Sequence, residues 1–383
     1  MTKAAIMELT KTVASRYLKA KTRAEKTKIL DEYCANTELN RKYAISKIRK
    51  QNFSYPKEDR RGRKKEYSKK AVELVLQVWE IFDKICGERL HPFLEEALRV
   101  MERCKIISPI SDDLRASVLK MSCSTVKRII RKEKVRLEGK SKFSTTKPGS
   151  LIKNQIAVRA GPWNETQPGF SEIDLVAHCG GSLSGEFIYT LQFVDIYTTW
   201  TERRAVMGKG QKAVGTEIKY VHKKLLPFDL LGIDSDNGTE FINYHLKAYC
   251  EKENITFTRS RPYMKKDNAH IEQKNWPLVR KILGYDRFDT QEELDIINNL
   301  YDNELRLYIN FFLPTMKLKE KIRVGSKYKR KYDTPRTPFQ RVLDSPDVPQ
   351  EKKDILLNLY QNLNPLQLRQ QIDLKILKLF SLK

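Results

Sequence analysis

The period of the hydrophobic residues changes near residue 170, and this change most limits what the chain can fold into. Three β-rich runs, 170–179, 185–200 and 201–208, follow one another with short connections, which predicts an antiparallel meander. Through 213–284 the pattern then alternates helix, strand, helix, strand and a last helix that ends at Gly284. This order of elements predicts a mixed α/β domain. Three antiparallel strands come first, and each of the two later strands follows a helix.

Three acidic residues lie where this element order would bring strand ends together. Asp174 lies within the first strand, Asp236 ends a short apolar strand before a turn, and Glu272 lies early in the last helix. Alone, Glu272 is indistinguishable from an ordinary surface glutamate, and Asp195 and Asp234 are competing carboxylates. Carboxylate clusters with few histidines suit Mg²⁺ or Mn²⁺, and two such ions can drive in-line phosphoryl displacement.

Two motifs resemble those of the retroviral-integrase superfamily, to which bacterial insertion-sequence DDE transposases belong. SDNGTEF (235–241) resembles its second-aspartate motif, and KKDNAHIEQKNW (265–276) resembles its glutamate-bearing helix. Thirty-five residues separate Asp236 from Glu272, as is typical of the DDE class. FSEIDLVAH (170–178) matches the first-aspartate strand of the superfamily.

The element order is also that of a ribonuclease-H-like domain. The resemblance implies a transposase that binds the terminal inverted repeats of a mobile element, cleaves its 3′ ends and joins them to target DNA. It implies that Asp174, Asp236 and Glu272 are catalytic and bind two Mg²⁺ or Mn²⁺ ions per active site. Two reacting ends predict a homo-oligomer on double-stranded DNA. Gln273 and Lys274 depart from the family pattern, in which Arg commonly follows the glutamate.

The N-terminal third predicts two helix-turn-helix units, 1–55 and 69–140, in which a second, basic helix enters the major groove. In the first unit, a break at Asn36-Thr37 predicts that Thr37 caps the basic helix and that Tyr43 faces the core. The alternative is a small helical bundle with no DNA role. The residues expected to contact DNA in these two units are Arg41, Lys42, Lys47, Ser124, Thr125, Lys127, Arg128 and Arg131.

A basic linker, 56–68, joins the two helical units. Its Arg61 and Arg63 flank a glycine as in an AT-hook, although phosphate contact by a plain linker is the alternative reading. A second linker, 141–164, precedes the catalytic core, 165–312. The basic C-terminal region with its helical tail, 313–383, predicts either a small β-rich DNA-contacting piece or a disordered basic strap.

Polar residues near the three acids are expected to support the site or contact phosphates. His178 is expected to tune a metal, to contact DNA or to be structural, and His270 to contact DNA or to be structural. Asn237 and Gly238 would let the backbone approach a phosphate, and Asn237 would orient Asp236. The remaining residues expected near phosphates are Lys265, Lys266, Asn268 and Lys274.

The net charge differs between the flanks, which are expected to bind DNA, and the core, which is expected to carry the catalytic residues. The formal net charge is +25, made up of +18 in 1–150, −4 in 165–312 and +9 in 313–383, with the remainder in the second linker. The basic flanks predict a polyanionic partner. No apolar run is long enough to span a membrane, and six scattered cysteines predict reduced intracellular thiols. With DNA as the expected partner, we expect a cytoplasmic, nucleoid-associated protein. The rival functions are a non-catalytic DNA-binding regulator that keeps the fold and a metal-dependent DNA nuclease.

Overall fold

The computed structural model describes residues 3–49, 66–138, 165–236, 238, 240–260, 271, 274–324 and 327–383. The chain divides into two compact units, Met1–Glu66 and Tyr67–Lys383. The domain limits predicted within the second unit stay a prediction. The predicted site residues that lie outside the described residues are Arg61, Arg63, Asn237, Lys265, Lys266, Asn268, His270 and Glu272.

The first unit is a bundle of three helices. They are α1 (Lys3–Lys19), α2 (Arg23–Thr37) and α3 (Arg41–Arg49). Thr37 does not cap the basic helix: it ends α2, and its hydroxyl donates to the Tyr33 carbonyl at 2.7 Å, so that prediction was wrong. Tyr43 is 57 % exposed and is not a core residue. The buried stripe of α3 runs through Ala44 and Ile48, and Tyr43 lies about 100° away from it around the helix.

The second unit begins with four helices. They are α4 (Lys69–Ile81), α5 (Gly87–Arg103), α6 (Asp112–Leu119) and α7 (Cys123–Glu138). The Ser111 hydroxyl accepts a hydrogen bond from the Leu114 N–H and caps α6. The Ser122 hydroxyl accepts from the Thr125 N–H in the first turn of α7.

A mixed sheet of five strands lies in the second unit, in the order β3-β2-β1-β4-β5. The strands are β1 (Phe170–Ala177), β2 (Ile188–Asp195), β3 (Thr201–Met207), β4 (Gly232–Ser235) and β5 (Thr256–Arg259). Strands β1, β2 and β3 are antiparallel neighbours, whereas β4 runs parallel to β1 and β5 runs parallel to β4. The predicted α/β core with a helical N-terminal region is thereby confirmed.

Helices cover both faces of the sheet. On one face, Ile173 packs with Ile218 of α8 (Gln211–Tyr220) and Leu246 of α9 (Tyr244–Lys252). Because side chains alternate along a strand, Glu172 and Asp174 lie on the opposite face. The elements that follow on that side are the helical turn Trp276–Arg280, α10 (Lys281–Leu283), α11 (Gln291–Leu300) and α12 (Arg306–Phe312).

The chain ends in a two-stranded ribbon and three helices. They are β6 (Leu318–Val324), β7 (Lys327–Tyr332), α13 (Pro338–Asp344), α14 (Gln350–Asn362) and α15 (Pro365–Phe380). The C-terminal tail folds back on its own chain: Ile372 and Leu379 of α15 are buried, and the helix packs on α4, α11 and α12. Among the described helices, none combines the length and the apolar composition that crossing a membrane requires.

Candidate active site

The sheet register brings the surroundings of Asp174 and Asp236 to two adjacent parallel strands. Glu172 pairs with Asp234, and Ile173 pairs with Ser235. Asp236 directly follows the end of β4, and this register continued by one residue would align it with Asp174. Neighbouring strands lie about 4.8 Å apart, so this continuation would bring together two residues that are 62 positions apart in the sequence.

Asp236 is held by the turn that follows it. Its Oδ1 accepts a hydrogen bond from the Gly238 N–H at 2.9 Å, so Gly238 orients Asp236, a role that the sequence predicts for Asn237. Burial raises the pKa of the Asp236 carboxyl, the Gly238 N–H lowers it, nearby Glu240 raises it, and Lys209 lowers it. Burial and the neighbouring acid therefore disfavour the charged form, and a cation beside Asp236 would favour it.

Asp174 is held by a side-chain network. Its Oδ1 accepts from the Leu175 N–H at 2.8 Å, and its Oδ2 accepts from Asn275 Nδ2 at 2.6 Å. The Oδ1 of Asn275 in turn accepts from Gln192 Nε2 at 3.1 Å, and Gln192 lies opposite Asp174 in the sheet. The sequence reading missed Asn275. Its position three residues after Glu272, on the same face of a helix, was the available signal.

The residues on either side of position 272 dock on β1. The Ile271 N–H donates to Glu172 Oε2 at 2.9 Å, and Asn275 donates to Asp174. Ile271 and Asn275 are both helical and lie one turn apart. Glu272 itself lies outside the described residues, so its part in the site stays a prediction.

Lys274 points into the protein. Its Nζ donates to the Thr199 carbonyl at 2.6 Å and to Thr201 Oγ1 at 2.8 Å. Burial, followed by the charge of Arg203, lowers the pKa of Lys274 to about 7. This position does not favour the DNA contact predicted for Lys274.

The two competing carboxylates have structural partners. Asp195 accepts hydrogen bonds from the Gly169 N–H at 2.8 Å and from the Thr198 N–H and hydroxyl at 2.7 and 2.6 Å. Asp234 is fully buried and accepts from the Thr258 hydroxyl at 2.5 Å. Asp195 thus closes the turn between β2 and β3, and Asp234 joins β4 to β5.

His178 is a buried structural residue. Its Nε2 lies 2.8 Å from the Thr190 hydroxyl, its Nδ1 has no partner among the described residues, and its ring contacts Phe288 edge-on. Burial, followed by the charges of Arg280 and Lys383, lowers the pKa of His178 to about 3. The imidazole is therefore neutral at pH 7.

We expect His178 to make the fold acid-sensitive. Its folded-state pKa of about 3 lies below the ordinary 6.5, so the unfolded chain takes up the proton first and stability falls as pH drops from about 6.5 toward 3. By pH 5 the loss from this group amounts to about 2 kcal/mol. His178→Gln keeps a hydrogen-bond donor for Thr190 but does not titrate. Urea unfolding at pH 7.5 and pH 5 should show a smaller acid loss in the variant; an identical loss would exclude His178 as the source.

Some of the predicted DNA-contacting residues of the helical units form ion pairs within the protein, whereas others are exposed. In α3, Arg41 forms an ion pair with Asp31. In α7, Lys127 Nζ lies 2.5 Å from Glu88 on α5. Arg128 and Arg131 of α7 are exposed. The other predicted contacts lie in these helices with their side chains exposed or half-buried, and comprise Lys42, Lys47, Ser124 and Thr125.

The oxygen donors present fit a hard divalent cation. Asp174 and Asp236 are carboxylates, which suit Mg²⁺ or Mn²⁺ better than softer metals. Among the described residues, no three His, Cys, Asp or Glu side chains form a group that could hold a metal ion. The described part of the chain therefore supplies two of the three expected carboxylates, with the third expected at position 272.

Comparisons with known proteins found a curated relative and matches among solved structures. No protein-family model matches the chain. Among solved structures, the catalytic core domain of BIV integrase aligns with 45 % of this chain and 91 % of its own, at 15 % identity and a TM-score of 0.30. The uncharacterized protein y4rM of Sinorhizobium fredii (strain NBRC 101917 / NGR234) is 35 % identical over 335 residues, which are 87 % of this chain and 94 % of that protein. At this identity and coverage, the chain belongs to the same family as y4rM of Sinorhizobium fredii.

Proposed function

We propose that this protein is a metal-dependent DDE transposase. In this proposal it binds the terminal inverted repeats of a mobile element, cleaves their 3′ ends and joins these ends to target DNA. The observation that supports the proposal is the β1–β4 register, which continued by one residue would align Asp174 with Asp236, together with the docking of Ile271 and Asn275 on β1. The element order and the motifs around Asp236 and Glu272 support the same function.

Asp174, Asp236 and Glu272 would hold two Mg²⁺ or Mn²⁺ ions. When bound, such ions lower the pKa of an attacking water or 3′-hydroxyl and stabilise the leaving oxygen. In each step a P–O bond forms to the attacking oxygen and the opposite P–O bond breaks. The protein's contribution is orientation: Asn275 fixes the Asp174 carboxylate, and the Gly238 N–H fixes that of Asp236.

DNA would be recognised outside the acidic core. The exposed Arg128 and Arg131 of α7 and Lys42 of α3 lie on second helices of the kind that enter a major groove. The charge of +18 over 1–150 supports contact with phosphates. Because two element ends must react together, the active form would be a homo-oligomer on DNA.

Incubation of the purified protein with DNA tests this function. The substrate is duplex DNA that carries the sequences flanking its own gene, with and without Mg²⁺, and a second sample carries a pre-cut 3′-hydroxyl end. A transposase cleaves the ends and joins the pre-cut end to target only with Mg²⁺. A nuclease cleaves without joining, and a regulator binds without changing the DNA; either result would refute the proposal.

Asn275→Leu should slow the chemistry without unfolding the protein. Without the Asn275 amide, Asp174 loses the hydrogen bond that orients its Oδ2. Loss of such a partner typically costs about 10- to 100-fold in activity or metal affinity. The readouts are the joining rate and the Mn²⁺ concentration for half-maximal joining, which should rise.

Asn303→Leu is the matched control, because Asn303 is an exposed helical asparagine whose side chain, among the described residues, hydrogen-bonds to the Asn299 carbonyl on its own helix. It should leave both readouts unchanged. If Asn275→Leu shifted only the melting temperature and left the Mn²⁺ requirement at its original value, Asn275 would be structural.

A further inference from the structure

Three residues form a row across the sheet on the face that holds Asp174. Asp174 of β1 pairs with Gln192 of β2, and Gln192 pairs with Arg203 of β3. Because directly opposite residues of neighbouring strands point to the same face of a sheet, the row leads from the candidate active site to Arg203. Strand β3 is the outermost strand on that side, so Arg203 ends the row at the edge of the sheet.

The helical segment that follows position 272 contacts every member of this row. Asn275 donates to Asp174 and accepts from Gln192. Three residues later, the Leu278 carbonyl accepts a hydrogen bond from Arg203 Nη1 at 3.1 Å. Residues three apart lie on the same side of a helix, so one side of the segment makes all of these contacts. Arg203 therefore holds the segment by its backbone, at the end farther from position 272.

The helix is wider than an α-helix at the point that Arg203 holds. After the turn Trp276–Arg280, the Lys281 N–H donates to the Trp276 carbonyl five residues earlier, whereas an α-helix would use the carbonyl four residues earlier. Pro277 in the same turn has no N–H to donate. Single wide turns of this kind occur frequently at functional sites. Because the bonding within the turn is irregular, the turn depends on an outside donor more than a regular helix would.

Arg203 is buried, and no described carboxylate forms an ion pair with it. The residue is only 1 % exposed, and its Nε and Nη2 have no hydrogen-bond partner within the described part of the chain. The guanidinium carbon lies 5.5 Å from the ring centroid of Tyr301. Burial lowers the pKa of Arg203 to about 10, so the side chain is charged at pH 7. A buried cation without an ion pair opposes folding, and departures of this kind are expected at functional sites.

We propose that Arg203 is a positioning residue for the third carboxylate of the active site. By holding the backbone of the turn after position 272, it fixes the height and the rotation of the helical segment on the sheet. The place expected for Glu272 relative to Asp174 is thereby fixed as well. The inference rests on the proposed function and adds to it a residue that acts through the backbone of another element.

Arg203→Met in the full-length protein tests this role, because methionine fills much of the same space but neither donates a hydrogen bond nor carries a charge. Removal of a buried cation without an ion pair should leave the melting temperature unchanged or raise it. In the metal-free protein, the amide protons of residues 271–283 should nevertheless exchange with solvent about 10- to 100-fold faster, because a hydrogen bond from a charged donor is lost. The Mn²⁺ affinity, measured by calorimetry with a pre-cut duplex, and the joining rate should each fall by about 10- to 100-fold.

Arg204→Met is the matched control, because Arg204 is the next residue of β3 and forms ion pairs with Glu217 and Asp302. It should lower the melting temperature but leave the Mn²⁺ affinity and the exchange of residues 271–283 unchanged. Arg203→Lys keeps a charged donor for the Leu278 carbonyl and should restore most of the Mn²⁺ affinity.

Two results for Arg203→Met would overturn the inference: wild-type exchange of residues 271–283, or wild-type Mn²⁺ affinity despite faster exchange. A wild-type protein that binds no Mn²⁺ would overturn it as well, because no third ligand would then need to be placed. A wild-type protein that binds Mn²⁺ but does not join DNA would refute the proposed function alone, since exchange and Mn²⁺ affinity would still report on Arg203.

Discussion

Asp236→Asn is expected to reduce cleavage and joining by about 10³-fold or more while duplex binding persists. The carboxylate is half-buried just after the end of β4, and burial raises its pKa. An amide of the same shape keeps the turn but removes the charge that a divalent ion requires. If metal binding contributes several kcal/mol to the chemical step, its loss costs several factors of ten, because each 1.36 kcal/mol is tenfold.

The measurement is single-turnover cleavage and joining in Mg²⁺, with duplex affinity measured on the same samples. Glu251→Gln is the control, because Glu251 is an exposed acid on α9 whose described ion pair, with Lys247, is on the surface. It should react at the wild-type rate. Asp236→Asn activity within a few-fold of wild type would remove Asp236 from the catalytic set.

Arg306→Met is expected to destabilise the second unit by about 3–5 kcal/mol, a large part of the roughly 5–15 kcal/mol typical of a folded protein. Glu202 on β3 is fully buried, and its Oε1 accepts hydrogen bonds from Arg306 Nε at 2.8 Å and Trp200 Nε1 at 2.6 Å. Burial raises the pKa of the Glu202 carboxyl, and Arg306 opposes this. Without Arg306, a buried negative charge would have no cationic partner at this contact.

Because Glu202 is titratable, the destabilisation caused by Arg306→Met should change with pH in a definite direction. An acid whose folded-state pKa lies above its unfolded value loses stability as pH rises through that interval. The penalty of Arg306→Met should therefore shrink when pH falls and Glu202 becomes protonated. Denaturant unfolding at two pH values measures the difference in the free energy of unfolding between wild type and variant. Groups that titrate identically in both proteins cancel from this difference.

Two further variants complete the test of the buried pair. Glu202→Gln combined with Arg306→Met should recover much of the lost stability, because the buried charge is gone. Arg99→Met removes one partner of the exposed pair with Glu95 and should cost under about 1 kcal/mol. A pH-independent penalty for Arg306→Met would show that lost packing, and not the buried charge, dominates.

The core of the fold could be predicted because its signals are local. The periodicity of the hydrophobic residues predicted the order of strands and helices. That order in turn predicted that Asp174 and Asp236 lie near one edge of the sheet. The Thr37 cap was wrong because a threonine at a helix junction can equally end the first helix, as its bond to the Tyr33 carbonyl does. A single-sequence pattern does not separate these two outcomes.

Contacts between distant segments could not be predicted. Asn275 and Gln192 are 83 positions apart, and only the packing of a helix on the sheet joins them to Asp174. The burial of Lys274 depends on the Thr199 carbonyl, which no sequence pattern marks. The basic composition between residues 317 and 336 is equally compatible with a β-ribbon and with a disordered strap. In the structure the Lys317 N–H donates to Asp333 Oδ1, and this hydrogen bond closes the base of a two-stranded ribbon.

Direct binding of Mn²⁺ tests the central claim, that Asp174, Asp236 and Glu272 together hold the catalytic metal. Calorimetric titration with Mn²⁺, in the presence of a duplex with a pre-cut end, would compare wild type with Asp174→Asn, Asp236→Asn, Glu272→Gln and the Glu251→Gln control. The account predicts Mn²⁺ binding to wild type and control and its loss or strong weakening in each of the three site variants. Wild-type Mn²⁺ affinity and stoichiometry in all three site variants would contradict it.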